Sequence, residues 1–169
     1  EITIGDWSSD VCSSDLDNLP VLLQVVESRC PKLTPVFFPN GVSEKQVLSK
    51  RKLAKKPKCC QICGSEEQEL VPQVLLKYDL PKRQASIDSV KFVCPLCKSA
   101  LDVSRMMELV VNSDENEEEA DTLIRHFLLV NGHNPEDTRL MEEILSSCYS
   151  LKVVLKSYLS PTVLDRKSV

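Results

Sequence analysis

Two C-x2-C pairs, Cys60/Cys63 and Cys94/Cys97, stand 30 residues apart in a 169-residue chain, and no other feature restricts the fold as much. Four thiolates fill a tetrahedral metal site and leave no position open, which is the structural kind of zinc centre. A redox dithiol would account for one pair and leave the other unexplained. The cysteines are not spread as a disulfide framework would be, so thiolate zinc in a reducing compartment is expected, and with it a cytoplasmic location. We therefore expect one structural Zn2+ held by Cys60, Cys63, Cys94 and Cys97. Cys59 adjoins the first pair, but Cys59-x3-Cys63 is the less favoured spacing, so Cys60 is taken as the ligand and Cys59 as a spare thiol. Cys30 and Cys148 read as apolar packing residues.

Both ends are set apart from the fold. Asp6–Leu16, DWSSDVCSSDL, reads like a translated sequencing adapter, and Asp165–Val169, DRKSV, like the adapter at the other end of an insert. Residues 1–16 and 165–169 are therefore expected to be adapter-derived, and the natural frame to run beyond both. The full chain has 21 Lys+Arg and 25 Asp+Glu; without those ends 19 and 20 remain, a net charge of −1. About 148 residues suit one domain, or a small metal module with helices. No apolar run approaches the roughly 18 residues of a membrane span.

Three regions are expected in an α+β chain. Residues 17–57 should be helical and extended. Leu19–Arg29 is apolar with helical spacing, Pro31, Pro35 and Pro39 bracket an extended stretch, and Pro39-Asn40-Gly41 signals a turn. Ser43 and Gln46 form a capping-box pair for a helix running through Val47 and Leu53 towards Pro57. That helix carries Lys50, Arg51, Lys52, Lys55 and Lys56. They are either a solvated face or a phosphate-binding patch, and no aromatic residues are interleaved with them.

Residues 58–111 should form the metal module: a knuckle relieved by Gly64, an edge or irregular strand over Glu69–Lys77, a polar insert at Asp79–Ser89 and a strand at Val90–Val93. A helix should start at Pro95 and carry Leu96, Ala100, Leu101, Val103 and Met107, with a short strand at Leu109–Val111. Residues 112–164 should be a helical hairpin. Its first helix would be capped by Ser113 or Asp114, with Ala120, Leu123, Ile124, Phe127 and Leu128 buried, and would end at Gly132. Its second would be capped by Asn134 and run to about Leu159. The acidic run Glu115–Asp121 suits the positive end of a helix dipole and is not read as a metal site.

A knuckle, a hairpin and a helix whose first turn holds the second cysteine pair follow the order of a treble clef. Cys60–Ser65, C-Q-I-C-G-S, with the strand and the C-x2-C helix that follow, resembles the HNH endonucleases. That resemblance implies a histidine general base just after the knuckle, with Asn and a second His on the helix. The base position falls near Pro72 or Gln73, neither of which can serve, and Lys98, Ser99, Ala100 and Leu101 supply no His. The two histidines of the chain, His126 and His133, are read as structural or solvated.

Over about Lys58–Lys156 the order also resembles the DotN/IcmJ-type components of type IVB secretion and conjugation systems, with Gln61 and Gly64 matching a C-Q-x-C-G knuckle. Little matches before Lys58. This second resemblance implies an HNH-like fold without nuclease residues, acting as an adaptor in a coupling complex at the inner face of the membrane. No catalytic residue is therefore assigned. The expectation is a non-catalytic zinc-binding interaction protein with a protein partner. A nucleic-acid-binding zinc module and a divergent HNH nuclease are the alternatives.

Overall fold

The computed structural model describes residues 17–66 and 69–165, so residues 1–16 and 166–169 lie outside it, and of the adapter-like stretch Asp165–Val169 only Asp165 is described. The fold is mixed α+β, with a three-stranded sheet and helices. The chain divides into two compact units, one built from the residues up to Pro35 with Leu96–Val154, the other from Val36–Pro95 with the residues from Leu155 on.

The sheet belongs to the second unit. Its first helix, α2 (Glu44–Ser49), follows α1 (Leu19–Arg29) of the other unit in the chain. Ser43 caps it, accepting from the Gln46 amide while Gln46 reaches back to the Ser43 amide, so the capping box is as expected. The helix stops at Lys50 rather than continuing towards Pro57, and Lys52–Pro57 is not helical. The basic residues thus do not share a helix face. Nothing apolar in Lys52–Lys56 except Leu53 and Ala54 could hold a further turn against a core, and Leu53 is exposed. Upstream, Pro39–Val42 is the expected turn: Val42 N–H donates to Pro39 O and Gly41 sits at φ +80°, where a side chain would strain the backbone.

Strands β1 (Val71–Asp79) and β2 (Gln84–Val93) form an antiparallel hairpin from Val71↔Val93 to Asp79↔Gln84, with a bulge between Leu75 and Leu76. The stretch expected as a polar insert, Asp79–Ser89, is mostly the body of β2. Its Gln, Ser and Asp residues obscured the strand, although Ala85, Ser86 and Ile87 are buried. The turn Leu80–Arg83 closes with Arg83 N–H donating to Leu80 O, and Arg83 takes φ 54°. Its guanidinium stacks 4.5 Å over the Tyr158 ring and its carbonyl accepts from Ser160 N–H, contacts that offset the strain of that conformation.

As expected, β1 is an edge. Pro72 offers it no N–H there, and the Val74 amide is taken by the Glu44 carboxylate at 2.9 Å. A third strand, β3 (Val163–Asp165), pairs parallel to β2 at Ala85–Ile87. It was not anticipated, because three residues paired to a strand some eighty positions away leave no local signal.

The other unit is helical. It holds α1 (Leu19–Arg29), α3 (Pro95–Ala100), α4 (Val103–Val111), α5 (Glu117–Val130) and most of α6 (Thr138–Tyr158). Pro95 opens α3 as expected, but that helix ends at Ala100. Asp102 then caps a new helix, α4, accepting from the Arg105 amide. Leu109–Val111 is the last turn of α4, not a strand; three apolar residues in a row carry no period of their own. The cap of α5 is Asn116 rather than Ser113 or Asp114. The expected stripe of α5 is buried at Ala120, Leu123, Phe127 and Leu128, with Ile124 half-buried.

Gly132, at φ +84°, ends α5 in a Schellman motif: His133 N–H donates to Leu128 O and Gly132 N–H to Leu129 O. Asn134 does not cap α6. It makes a turn by accepting from the Glu136 amide, and Asp137 takes the capping role through the Leu140 amide. Along α6, Met141, Ile144, Leu145, Cys148, Leu151, Val154 and Leu155 are buried, the broad face anticipated from their spacing. Cys30 and Cys148 are both buried, as expected, and each contacts the other. A hydrogen bond with Cys30, together with burial, pushes the Cys148 thiol well above the ordinary range, which keeps it protonated.

The buried side chain of Asn131, beside the glycine, accepts from both the Lys32 and the Leu33 amides at 3.1 and 2.8 Å. We expect Asn131→Ala to leave two donors without an acceptor and to cost about 3 kcal/mol in urea denaturation. A Cβ at Gly132 meets nothing within 4 Å, so only backbone strain opposes Gly132→Ala, which should cost about 1 kcal/mol.

Candidate metal centre

The first cysteine pair is presented by a turn built from its own backbone. Gly64 N–H donates to Cys60 O at 2.9 Å, Cys60 N–H to Ser65 O at 2.8 Å, and Gly64 sits at φ +81°. Gln61 clasps this turn to β2. Its amide donates to Phe92 O at 2.9 Å, and its Oε1 accepts from the Phe92 amide at 2.7 Å. Because Phe92 is two residues before Cys94, that clasp fixes the knuckle against the strand that delivers the second pair. The helix start at Pro95 then turns the chain so that Cys94 and Cys97 lie one helical turn apart.

These four cysteines come together. The Sγ atoms of Cys60, Cys63, Cys94 and Cys97 all lie within 4.8 Å of one another, the one such group of metal-ligating side chains among the described residues. Cys63 and Cys94 Sγ are 3.7 Å apart. Tetrahedral coordination with bonds of about 2.3 Å requires sulfurs about 3.8 Å apart, so the cluster has the dimensions of a four-sulfur site and could hold a metal ion. Cys60, Cys94 and Cys97 are buried, and Cys63 is half-buried. Cys59 is half-buried and outside the cluster, as the choice of Cys60 anticipated.

The Cys60 thiol is prepared to ionise. Burial opposes ionisation of Cys60, but hydrogen bonds from the backbone of Cys63, Cys94 and Ile62 and from the Cys63 side chain together outweigh it. They bring the thiol from 9.0 to about 7. One of these donors is the Cys63 amide, 3.5 Å from Cys60 Sγ. The Ser65 hydroxyl lies 3.2 Å from Cys63 Sγ, where it can donate to a thiolate.

His126, read from sequence as a structural or solvated residue of α5, has Nε2 3.3 Å from Cys97 Sγ. Desolvation lowers its pKa, so the ring is held neutral more firmly than an exposed histidine. No local pattern could have found this contact, since 29 residues separate the two side chains. His133 is structural, as anticipated: its Nε2 donates to the Arg29 carbonyl at 2.6 Å, one of the carbonyls left over at the end of α1.

The position expected to carry a base does not face a site. Gln73 is 4 % exposed, and its Nε2 donates to Val74 O. Of the basic residues, Lys50, Lys52, Lys55 and Lys56 are exposed, whereas the Arg51 side chain is only 9 % exposed and its Nη1 lies 2.7 Å from Asp165 Oδ2. Lys50 and Arg51 line a cavity of about 290 Å³ with Gln46, Val47, Ile87 and Asp165. Arg51 is thus committed within the fold and is not displayed with its neighbours. Among the described residues no helix is long and apolar enough to cross a membrane.

Comparison with protein-family models, curated proteins and solved structures gives no match.

Elemental analysis of the purified chain should find one metal ion, lost in Cys60→Ser and Cys94→Ser and retained in Cys59→Ser. A thiol whose pKa is depressed on folding favours the folded, metal-binding form above its unfolded value near 9.0, and that advantage fades as the pH falls through about 7. Chelator competition should therefore show affinity falling about tenfold or more per pH unit below 7.

Proposed function

We propose that this chain is a non-catalytic zinc-binding adaptor, whose metal centre is a structural Zn2+ site in an HNH-like treble clef that has lost its nuclease residues. The observation that carries this reading is the all-sulfur cluster of Cys60, Cys63, Cys94 and Cys97. Four thiolates in tetrahedral arrangement suit zinc, and they leave no coordination position for an activated water. A zinc ion bound there would supply cohesion to the knuckle and the helix start, not Lewis-acid chemistry. The burial of Gln73 where a general base would stand argues the same way.

The partner follows from the resemblance to DotN/IcmJ-type components: a protein of a type IVB secretion or conjugation coupling complex. On this reading the chain works in the cytoplasm and reaches the inner face of the membrane through its partner. A second reading, binding of nucleic acid, is favoured by the exposure of Lys50, Lys52, Lys55 and Lys56 on the segment leading to Cys60. Phosphate contacts there would weaken steeply with added salt. Neutralising those four lysines should abolish that dependence, whereas Arg51→Gln should act mainly on stability.

Incubated with supercoiled DNA and Mg2+, Mn2+ or Zn2+, the zinc-loaded protein should leave the DNA intact. Co-expressed with the coupling-complex proteins of a type IVB system, it should co-purify with one of them, and Cys94→Ser should lose the complex. Cleavage that follows the protein through purification and disappears in Gln73→Ala or His126→Ala would overturn the adaptor reading.

A further inference from the structure

One side chain beside the cysteine cluster comes from a different element, α5. We infer that His126 is a positioning residue of the centre, donating a hydrogen bond from Nε2–H to the Cys97 thiolate and so holding that ligand in its coordinating state. The inference rests on the metal-site reading above and goes beyond the four ligands.

The geometry carries it. His126 Nε2 is 3.3 Å from Cys97 Sγ, within the range of an N–H···S hydrogen bond. Cys97 is fully buried, so water cannot solvate its sulfur, and a buried thiolate needs a donor. The ring can supply one in either of two forms, because Nε2 carries a proton both in the Nε2–H tautomer and in the imidazolium.

The placement follows from helix periodicity. His126 lies three residues after buried Leu123 and one before buried Phe127, at the margin of the apolar stripe of α5, where the ring is half-buried. Cys60 is approached by the Cys63 amide and Cys63 by the Ser65 hydroxyl, both local to the knuckle. At Cys97 the His126 ring comes from 29 residues further along the chain.

An N–H···S bond draws electron density from the sulfur. It lowers the sulfur's affinity for protons and its nucleophilicity while leaving it competent to bind the metal. Outer-shell donors of this kind are worth about 10- to 100-fold in metal affinity.

The test uses the full chain with His126→Leu, which fills the space without a donor, and His126→Gln, whose Nε2 offers an N–H at a similar reach. Zinc affinity by chelator competition should fall about tenfold in the leucine variant and recover most of that loss in the glutamine variant. With Co2+ in place of zinc, the sulfur-to-metal charge-transfer band should move to longer wavelength in His126→Leu, since a sulfur without its donor gives up charge more readily. It should return towards the wild-type position in His126→Gln, a recovery that a packing role would not produce. In the wild-type protein loaded with 113Cd, a scalar coupling between the metal and the His126 ring N–H would report the bond directly, whatever the variants' stability.

Zinc affinity and cobalt spectrum unchanged in His126→Leu, with no coupling in the cadmium form, would overturn the inference and leave the four-cysteine site standing. Full metal binding in Cys97→Ser combined with its loss in His126→Leu would also overturn it, by making His126 a ligand. A wild-type chain that binds no zinc would remove the metal-site reading itself, and the inference with it.

Discussion

Four sulfur atoms held within 4.8 Å of one another set the terms for much of this chain. As thiols they pack poorly, and as thiolates they repel. The backbone nevertheless gathers hydrogen-bond donors around Cys60 that favour the ionised form over the burial that opposes it. A chain gains from such a cluster only when a cation completes it. Binding of a metal there would couple to the ordering of the knuckle in a single equilibrium. The elements that present the sulfurs serve it directly: the left-handed Gly64, the double hydrogen bond of Gln61 to Phe92, and the proline that starts α3 immediately after Cys94.

Much of this was legible because it was local. A C-x2-C spacing states its own turn, a capping box states its own helix start, and the stripes of α5 and α6 repeat every three to four residues. Gly132 and Pro39-Asn40-Gly41 did what their backbone freedom implies. Misreadings arose where two local rules competed. Asn134-Pro135 looked like a helix start, but the asparagine side chain bonds the Glu136 amide in a turn, and the helix waits for Asp137. Leu109–Val111 looked like a strand because three adjacent apolar residues have no period, although Asp102 upstream was available as a cap.

What the sequence withheld is what depends on distant partners. Strand β3, the commitment of Arg51 to Asp165, the capture of the Val74 amide by Glu44 and the contact of His126 with Cys97 all join residues far apart in the chain. Each involves a residue whose local surroundings suggest something blander: a tail, a solvated arginine, a helix-start glutamate, a histidine on a helix margin. The four clustered cysteines were therefore readable, and the side chains around them were not.

The clasp at Gln61 reaches beyond the metal. Phe92 turns its amide and carbonyl away from β1, and Gln61 occupies both, so the knuckle behaves as a one-residue strand on that edge of β2. At the other end of the same strand β3 pairs with Ala85–Ile87. Two short pieces of chain thus line the outer edge of β2, at Phe92 and at Ala85–Ile87, and the first carries two of the clustered cysteines. If the knuckle came away, the strand would be left with an open amide and carbonyl at Phe92, a template for pairing with another molecule. A metal ion held by the cluster would then protect this edge of the sheet as well as the shape of the knuckle.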